Sequence, residues 1–120
     1  MKSLEQIQRQ LEMGEFEFSR HAFRRAVERN ISAEEIQQAG KQATIIESYP
    51  TDKYSPSCLL LGYTAVRRVL HLQVSQAETA LLKIITLYEP NAAEWNESYE
   101  KRRWICLNVM YVGQKKRVRN

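Results

Sequence analysis

The chain has 120 residues, 43% hydrophobic and 27% charged, a balance that fits one globular domain and excludes a disordered chain. No apolar run approaches the roughly 20 residues of a membrane span, and the polar opening MKSLEQIQRQLEMGE does not read as a secretion signal. The net charge of +4 is unevenly placed: residues 101–120 carry Lys101, Arg102, Arg103, Lys115, Lys116, Arg117 and Arg119 and no acid, so this segment is +7 and residues 1–100 sum to −3.

In chain order, Leu4, Ile7 and Leu11 recur at helical spacing and predict an amphipathic helix over residues 3–13, stopped by Gly14. Residues 15–18, EFEF, read as a short extended link. Ser19 then caps a second helix over Arg20–Arg29, with Phe23, Ala26 and Val27 as its apolar side. Ser32 caps a third helix, with Glu35 completing a capping box and Ile31 set to staple against Ile36.

From Ala43 the period changes. ATIIESY is a strand, PTDKYSPS a loop, and CLLLGYTA, VRRVLHLQVS and ALLKIITLYE are three further strands. The connections after Ala65 and Ser75 are too short for crossover helices, so these four strands are expected to be antiparallel neighbours. The fold class is therefore α+β: N-terminal helices packed on one face of an antiparallel four-stranded sheet, within a single domain over residues 1–90. Residues 91–120 are expected to form a basic extension that packs on or extends the same domain, with an added edge strand, a cover on the sheet and a partner-binding segment left open. In it, NAAEWNESYEKRRW has helical propensity, and WICLNVMYV is either a strand or an apolar helix end.

Cys58 and Cys106 lie far apart in apolar runs, without a CxxC or a Cys/His cluster. That spacing argues against zinc and for two buried free thiols in a cytosolic protein, over a Cys58–Cys106 disulfide. No cofactor or metal is implied, since there is no P-loop, no GxGxxG, no GxSxG and no acidic cluster for two-metal chemistry.

The chemistry-bearing residues concentrate in three places. On the second helix His21 and Arg25 share a face, with Arg29 one turn on. The plain alternative is a solvated helix with Arg24–Glu28 and Arg25–Glu28 ion pairs. In the third strand Leu70, Leu72 and Val74 alternate onto one face and leave His71 and Gln73 on the other; the alternative is a polar filler. In the fourth, Thr86 and Tyr88 share a face, on which strict alternation also puts Leu82 and Ile84. Two histidines, arginines and a tyrosine suffice for metal-free RNA cleavage: a base for the 2′-OH, an acid for the 5′-oxygen and cations for the phosphorane.

The segments FSRHAFRRAVERNISAEEI, IIESYP, SCLLLGYT, VLHLQV and IITLYEP resemble, in order and spacing, the domain of unknown function family 4258 over residues 16–90. The specific part is His-x3-Arg-x3-Arg-x-Ile. That family has been grouped with the RelE-like toxins and the barnase, EndoU and colicin nucleases. The resemblance implies a small cytoplasmic endoribonuclease of toxin–antitoxin type, with RNA as substrate and an antitoxin protein as partner. It carries motif positions to His21, Arg25, Arg29, His71, Thr86 and Tyr88, with His21, Arg25, His71, Thr86 and Tyr88 as catalytic residues and Arg29 as a phosphate-binding group; the local basic patches around Arg20–Arg29 and Arg67–Arg68 add Arg20, Arg24, Arg67 and Arg68 as RNA- and phosphate-binding groups. The reading leaves His21 and His71 open as base and acid, and expects His21, Arg25, His71 and Tyr88 in one pocket. Its rivals are a non-catalytic RNA- or protein-binding module of the same fold, and a structural interaction domain.

Overall fold

The computed structural model describes residues 1–102. WICLNVMYV, Cys106 and the tail cations from Arg103 onward lie outside the described residues. The chain divides into a unit over Met1–Glu89 and a second that begins at Pro90.

In the first unit the order is α1 (Leu4–Glu12), β1 (Phe16–Phe18), α2 (Arg20–Arg29), α3 (Ala33–Gly40), β2 (Thr44–Tyr49), β3 (Ser57–Tyr63), β4 (Val69–Ser75) and β5 (Leu82–Tyr88). All three helices start where a serine hydroxyl accepts a backbone N–H: Ser3, Ser19 and Ser32, the first and third as full capping boxes. α2 stops at Asn30, whose left-handed backbone (φ 58°) lets its N–H bond the carbonyls of Ala26 and Val27.

The α+β class holds, but the sheet has five strands and is mixed, in the order β1-β5-β4-β3-β2. The four expected strands are antiparallel neighbours. The fifth is β1, the segment read as a link, which pairs in parallel with β5 through Phe16–Leu82 and Phe18–Ile84. Three residues are too few for alternation to identify a strand, and a parallel partner 66 positions away in register leaves no turn signal beside it.

One sheet face carries Cys58, Leu60, Leu70, Leu72, Val74, Leu82, Ile84 and Leu87, packed in one core with Ile7 and Leu11 of α1, Ala22 and Ala26 of α2, and Ile36 and Ala39 of α3. The approach is close. A Cβ on Gly62 would stand 2.2 Å from the Ala39 carbonyl oxygen, and one on Gly40 would stand 2.3 Å from Leu11 Cβ. The stripe that α2 buries is Ala22 and Ala26, small residues that let the helix sit close to the sheet. The expected core side chains Phe23 and Val27 point outward instead, 60% and 65% exposed.

In the second unit, the described residues 90–102 hold no helix, although their composition favours one. Asn96 accepts the backbone N–H groups of Glu100 and Lys101 through its side chain, which closes a turn incompatible with continuous helix. An isolated bridge joins Trp95 to Arg102, whose guanidinium lies 4.6 Å from the centroid of the buried indole.

Candidate functional site

The sheet face turned away from the helical core is where strand alternation collects polar groups. Register places Tyr88, His71 and Leu61 side by side, then Thr86, Gln73, Leu59 and Glu47, then Ser75, Ser57 and Tyr49. His71 is fully buried, and Tyr88, Thr86 and Gln73 are half-buried. His71 Nδ1 lies 3.3 Å from Tyr88 Oη, and the two rings meet edge-to-face with centroids 5.3 Å apart. Gln73 Nε2 donates to Ser57 Oγ at 3.1 Å, and that hydroxyl donates to Asp52 at 2.7 Å. The Tyr49 hydroxyl donates to Glu47. Every one of these polar atoms is held by another, which is what a buried polar cluster requires.

Thr86 and Tyr88 reach this face through a β-bulge. The β4–β5 pairing runs His71–Tyr88, Leu72–Leu87 and Gln73–Thr86, then slips to Val74–Ile84. The extra residue, Ile85, inverts the alternation, so Leu82 and Ile84 lie in the helical core rather than beside Thr86 and Tyr88. Ser19 anchors the bulge: its N–H donates to the Ile84 carbonyl at 2.9 Å and its hydroxyl to the Ile85 carbonyl at 2.8 Å. The cap that starts α2 therefore also fixes the kink that turns Tyr88 toward His71.

The α2 residues form a separate group. His21 is exposed in the first turn and Arg25 is half-buried one turn on, with Arg20, Arg24 and Arg29 exposed. α2 gives Ala22 and Ala26 to the core on the far face from His71. Among the described residues the structure joins His71 to Tyr88, and neither a hydrogen bond nor an ion pair ties His21 or Arg25 to that pair. Glu28 pairs with neither Arg24 nor Arg25, and none of Arg20, Arg24, Arg25 or Arg29 has an ion-pair partner among the described residues.

Arg68 and Arg67 separate in role. All three guanidinium nitrogens of Arg68 are committed: Nε to Glu89 at 2.7 Å, Nη1 to Glu35 at 2.9 Å and to the Asn30 carbonyl, and Nη2 to the Arg29 carbonyl at 2.8 Å. Arg68 thus ties the C-terminus of α2 to α3 and β5, rather than standing ready for phosphate. The bond to Glu89 raises its pKa above the usual arginine range, while the Ser32 backbone N–H, then Arg68, hold the Glu35 carboxyl below the ordinary glutamate value. Arg67 is exposed and lies over the Tyr63 ring, 4.9 Å from its centroid.

Sequence reasoning missed Glu47, Tyr49 and Ser57 on the sheet face, and Asp52 in the β2–β3 loop, which accepts from Ser57. The β2 side of that face was hidden by a second bulge, at Ile46, between the pairs Ile45–Leu60 and Glu47–Leu59. Cys58 lies in the core, where burial pushes its thiol pKa to about 11; it is no nucleophile at neutral pH. No three His, Cys, Asp or Glu side chains gather as a metal site among the described residues, and no helix there is long and apolar enough to cross a membrane.

Among the described residues, a three-helix layer on a five-stranded mixed sheet, with an imidazole–phenol pair on the opposite face, makes a small α+β domain with a candidate functional face. The chain belongs to the family described as Domain of unknown function (DUF4258), which matches residues 18–89, from the last residue of β1 through β5. No curated protein and no solved structure matches the chain.

Proposed function

We propose that this protein is a metal-independent endoribonuclease of RelE-like, toxin–antitoxin type, acting on cellular RNA in the cytoplasm. The observation that carries the reading is the His71–Tyr88 pair, a phenol within 3.3 Å of an imidazole nitrogen on a sheet face rather than in the core. In this reading Tyr88 Oη takes the proton of a ribose 2′-OH and passes its own to His71 Nδ1, so the buried imidazole acts through the half-buried phenol. The 2′-oxygen attacks the adjacent phosphorus, the P–O5′ bond breaks, and the products are a 2′,3′-cyclic phosphate and a 5′-OH. The departing 5′-oxygen needs a proton, and His21 is the chain's other imidazole. The cations of α2, Arg25 and Arg29 foremost, hold phosphate and offset the charge developing on the phosphorane. Their lack of ion-pair partners among the described residues supports this role.

The complete burial of His71 favours a second reading, in which the pair is structural and the domain binds RNA or a partner such as an antitoxin without cleaving. Incubating the full chain with single-stranded RNA in EDTA tests both. The first reading expects 2′,3′-cyclic phosphate ends, lost in Tyr88→Phe while circular dichroism stays native. Binding without cleavage overturns it in favour of the second.

A further inference from the structure

The hairpin joining β3 to β4 carries Tyr63 and Arg67, and strand register puts Tyr63 on the same sheet face as His71. Tyr63 pairs with Val69, and the next pair on that face is Leu61 with His71, which in turn neighbours Tyr88. Same-face rungs are two residues apart, roughly 7 Å. The Tyr63 ring thus lies one rung from the imidazole–phenol pair, and it is exposed, as are Val66 and Arg67.

Arg67 adopts a left-handed backbone, φ 68°, in a residue that is not glycine. This conformation costs of order 1 kcal/mol and persists only where the surroundings impose it. Here they do. Thr64 N–H donates to the Arg68 carbonyl, Arg67 N–H to the Thr64 carbonyl and Arg68 N–H to the Thr64 hydroxyl, each at 2.9–3.0 Å. Ala65 N–H donates to Gln38 of α3, and Arg68 is clamped by Glu35 and Glu89. A rigid tip therefore holds a guanidinium over an aromatic ring, 4.9 Å from its centroid, beside the candidate reaction surface. Arg67 has no ion-pair partner among the described residues.

We propose that Tyr63 and Arg67 form a nucleotide subsite, in which Arg67 takes an RNA phosphate next to the bond to be cleaved and the Tyr63–Arg67 stack supports the adjoining base. The subsite rests on the reading of this face as one that works on RNA. Single-stranded nucleic acid is the occupant the chemistry favours, because an aromatic platform with a planar cation offers both a base-stacking surface and a bidentate phosphate contact. An acidic protein segment would use the charge but not the ring.

The test is equilibrium binding of the full chain to a fluorescein-labelled, uncleavable eight-nucleotide 2′-fluoro RNA, measured by anisotropy across a salt series. Tyr63→Ala should weaken binding about tenfold and Tyr63→Phe should leave it unchanged, as stacking requires. Arg67→Ala should weaken binding and lower the slope of log affinity against log salt by about 0.7, the loss of one phosphate contact; Arg67→Lys should recover the slope but only part of the affinity. Arg67→Gly relieves the left-handed backbone, so its unfolding midpoint should match or exceed the wild type while its binding falls, a combination that a purely structural arginine does not produce. Wild-type binding by Arg67→Gly and Tyr63→Ala, no binding by the wild-type chain at low salt, or equal displacement of the RNA by an acidic peptide of the same charge would each overturn the subsite. Because the probe cannot be cleaved, loss of the subsite reads separately from loss of the reaction: a chain that binds through Arg67 but cleaves nothing removes only the nuclease reading.

Discussion

The two faces of the sheet are made by the same strands and differ in almost everything else. Toward the helices, Leu60, Leu70, Leu72, Val74, Ile84 and Leu87 are all buried and apolar. On the other face, the positions between them are His71, Gln73, Thr86, Tyr88 and Ser57, with Leu59 and Leu61 among them. Apolar burial stabilises by about 25 cal/mol per Å², whereas a buried polar group roughly breaks even when fully hydrogen-bonded. The helical face is thus explained by stability alone. The polar face is not, since leucine or valine at His71 and Tyr88 would hold the sheet at least as well. The difference separates a face that folds the protein from a face whose polar groups stability does not require.

That comparison can be broken from either side. The largest effect is expected on the helical face. Gly62→Ala forces a Cβ to within 2.2 Å of the Ala39 backbone oxygen, which α3 cannot yield cheaply, and should cost about 3 kcal/mol or more in urea unfolding. Leu72→Ala, fully buried in the same layer, should cost about 2–5 kcal/mol. If either substitution is silent, the helical face is not the core described here.

Arg68→Ala is expected next, at about 1–3 kcal/mol, because it strands the Arg29 and Asn30 carbonyls and the Glu35 and Glu89 carboxylates together. RNA affinity in the Arg68→Ala chain, measured under conditions where it remains folded, should fall through the hairpin tip and not through a lost phosphate contact, leaving the salt slope unchanged. A smaller, pH-dependent contribution comes from Glu35. Its folded pKa is lowered, so its stabilisation is fully present above the ordinary glutamate pKa of about 4.3 and is lost as pH falls through the folded value. The carboxyl is partly exposed, so the contribution is below about 1 kcal/mol. Glu35→Gln should lower stability at pH 7 and flatten its decline below about pH 4; an unchanged acid limb would contradict the Ser32 and Arg68 contacts. Smallest of all is Val27→Ser on the outer side of α2, expected within about 0.5 kcal/mol because Val27 is 65% exposed.

Much of this contrast was legible in the chain itself, because period-2 alternation in VLHLQV separates Leu70, Leu72 and Val74 from His71 and Gln73 without any structure. The same logic failed in IITLYEP, where one extra residue at Ile85 moves Leu82 and Ile84 across the sheet. Alternation cannot reveal a bulge, since a bulge is an exception to it. On α2 the hydrophobic pattern was misleading in a different way: Phe23 and Val27 are the most apolar residues, yet Ala22 and Ala26 are the buried ones, because close packing on the sheet selects size over hydrophobicity. His71 and Tyr88 could be named from the sequence, but their pairing depended on a register that no local signal sets.

The central claim is that His71 and Tyr88 act as one proton-transfer unit on the polar face, and a double-mutant cycle on RNA cleavage tests it most directly. With circular dichroism confirming the fold, Tyr88→Phe and His71→Asn should each slow cleavage roughly 10²–10⁴-fold. The double variant should be no slower than the worse single one, because a relay broken at one member has nothing further to lose. Undiminished cleavage in either single variant, or losses that multiply in the double, would contradict the pair as the reactive unit.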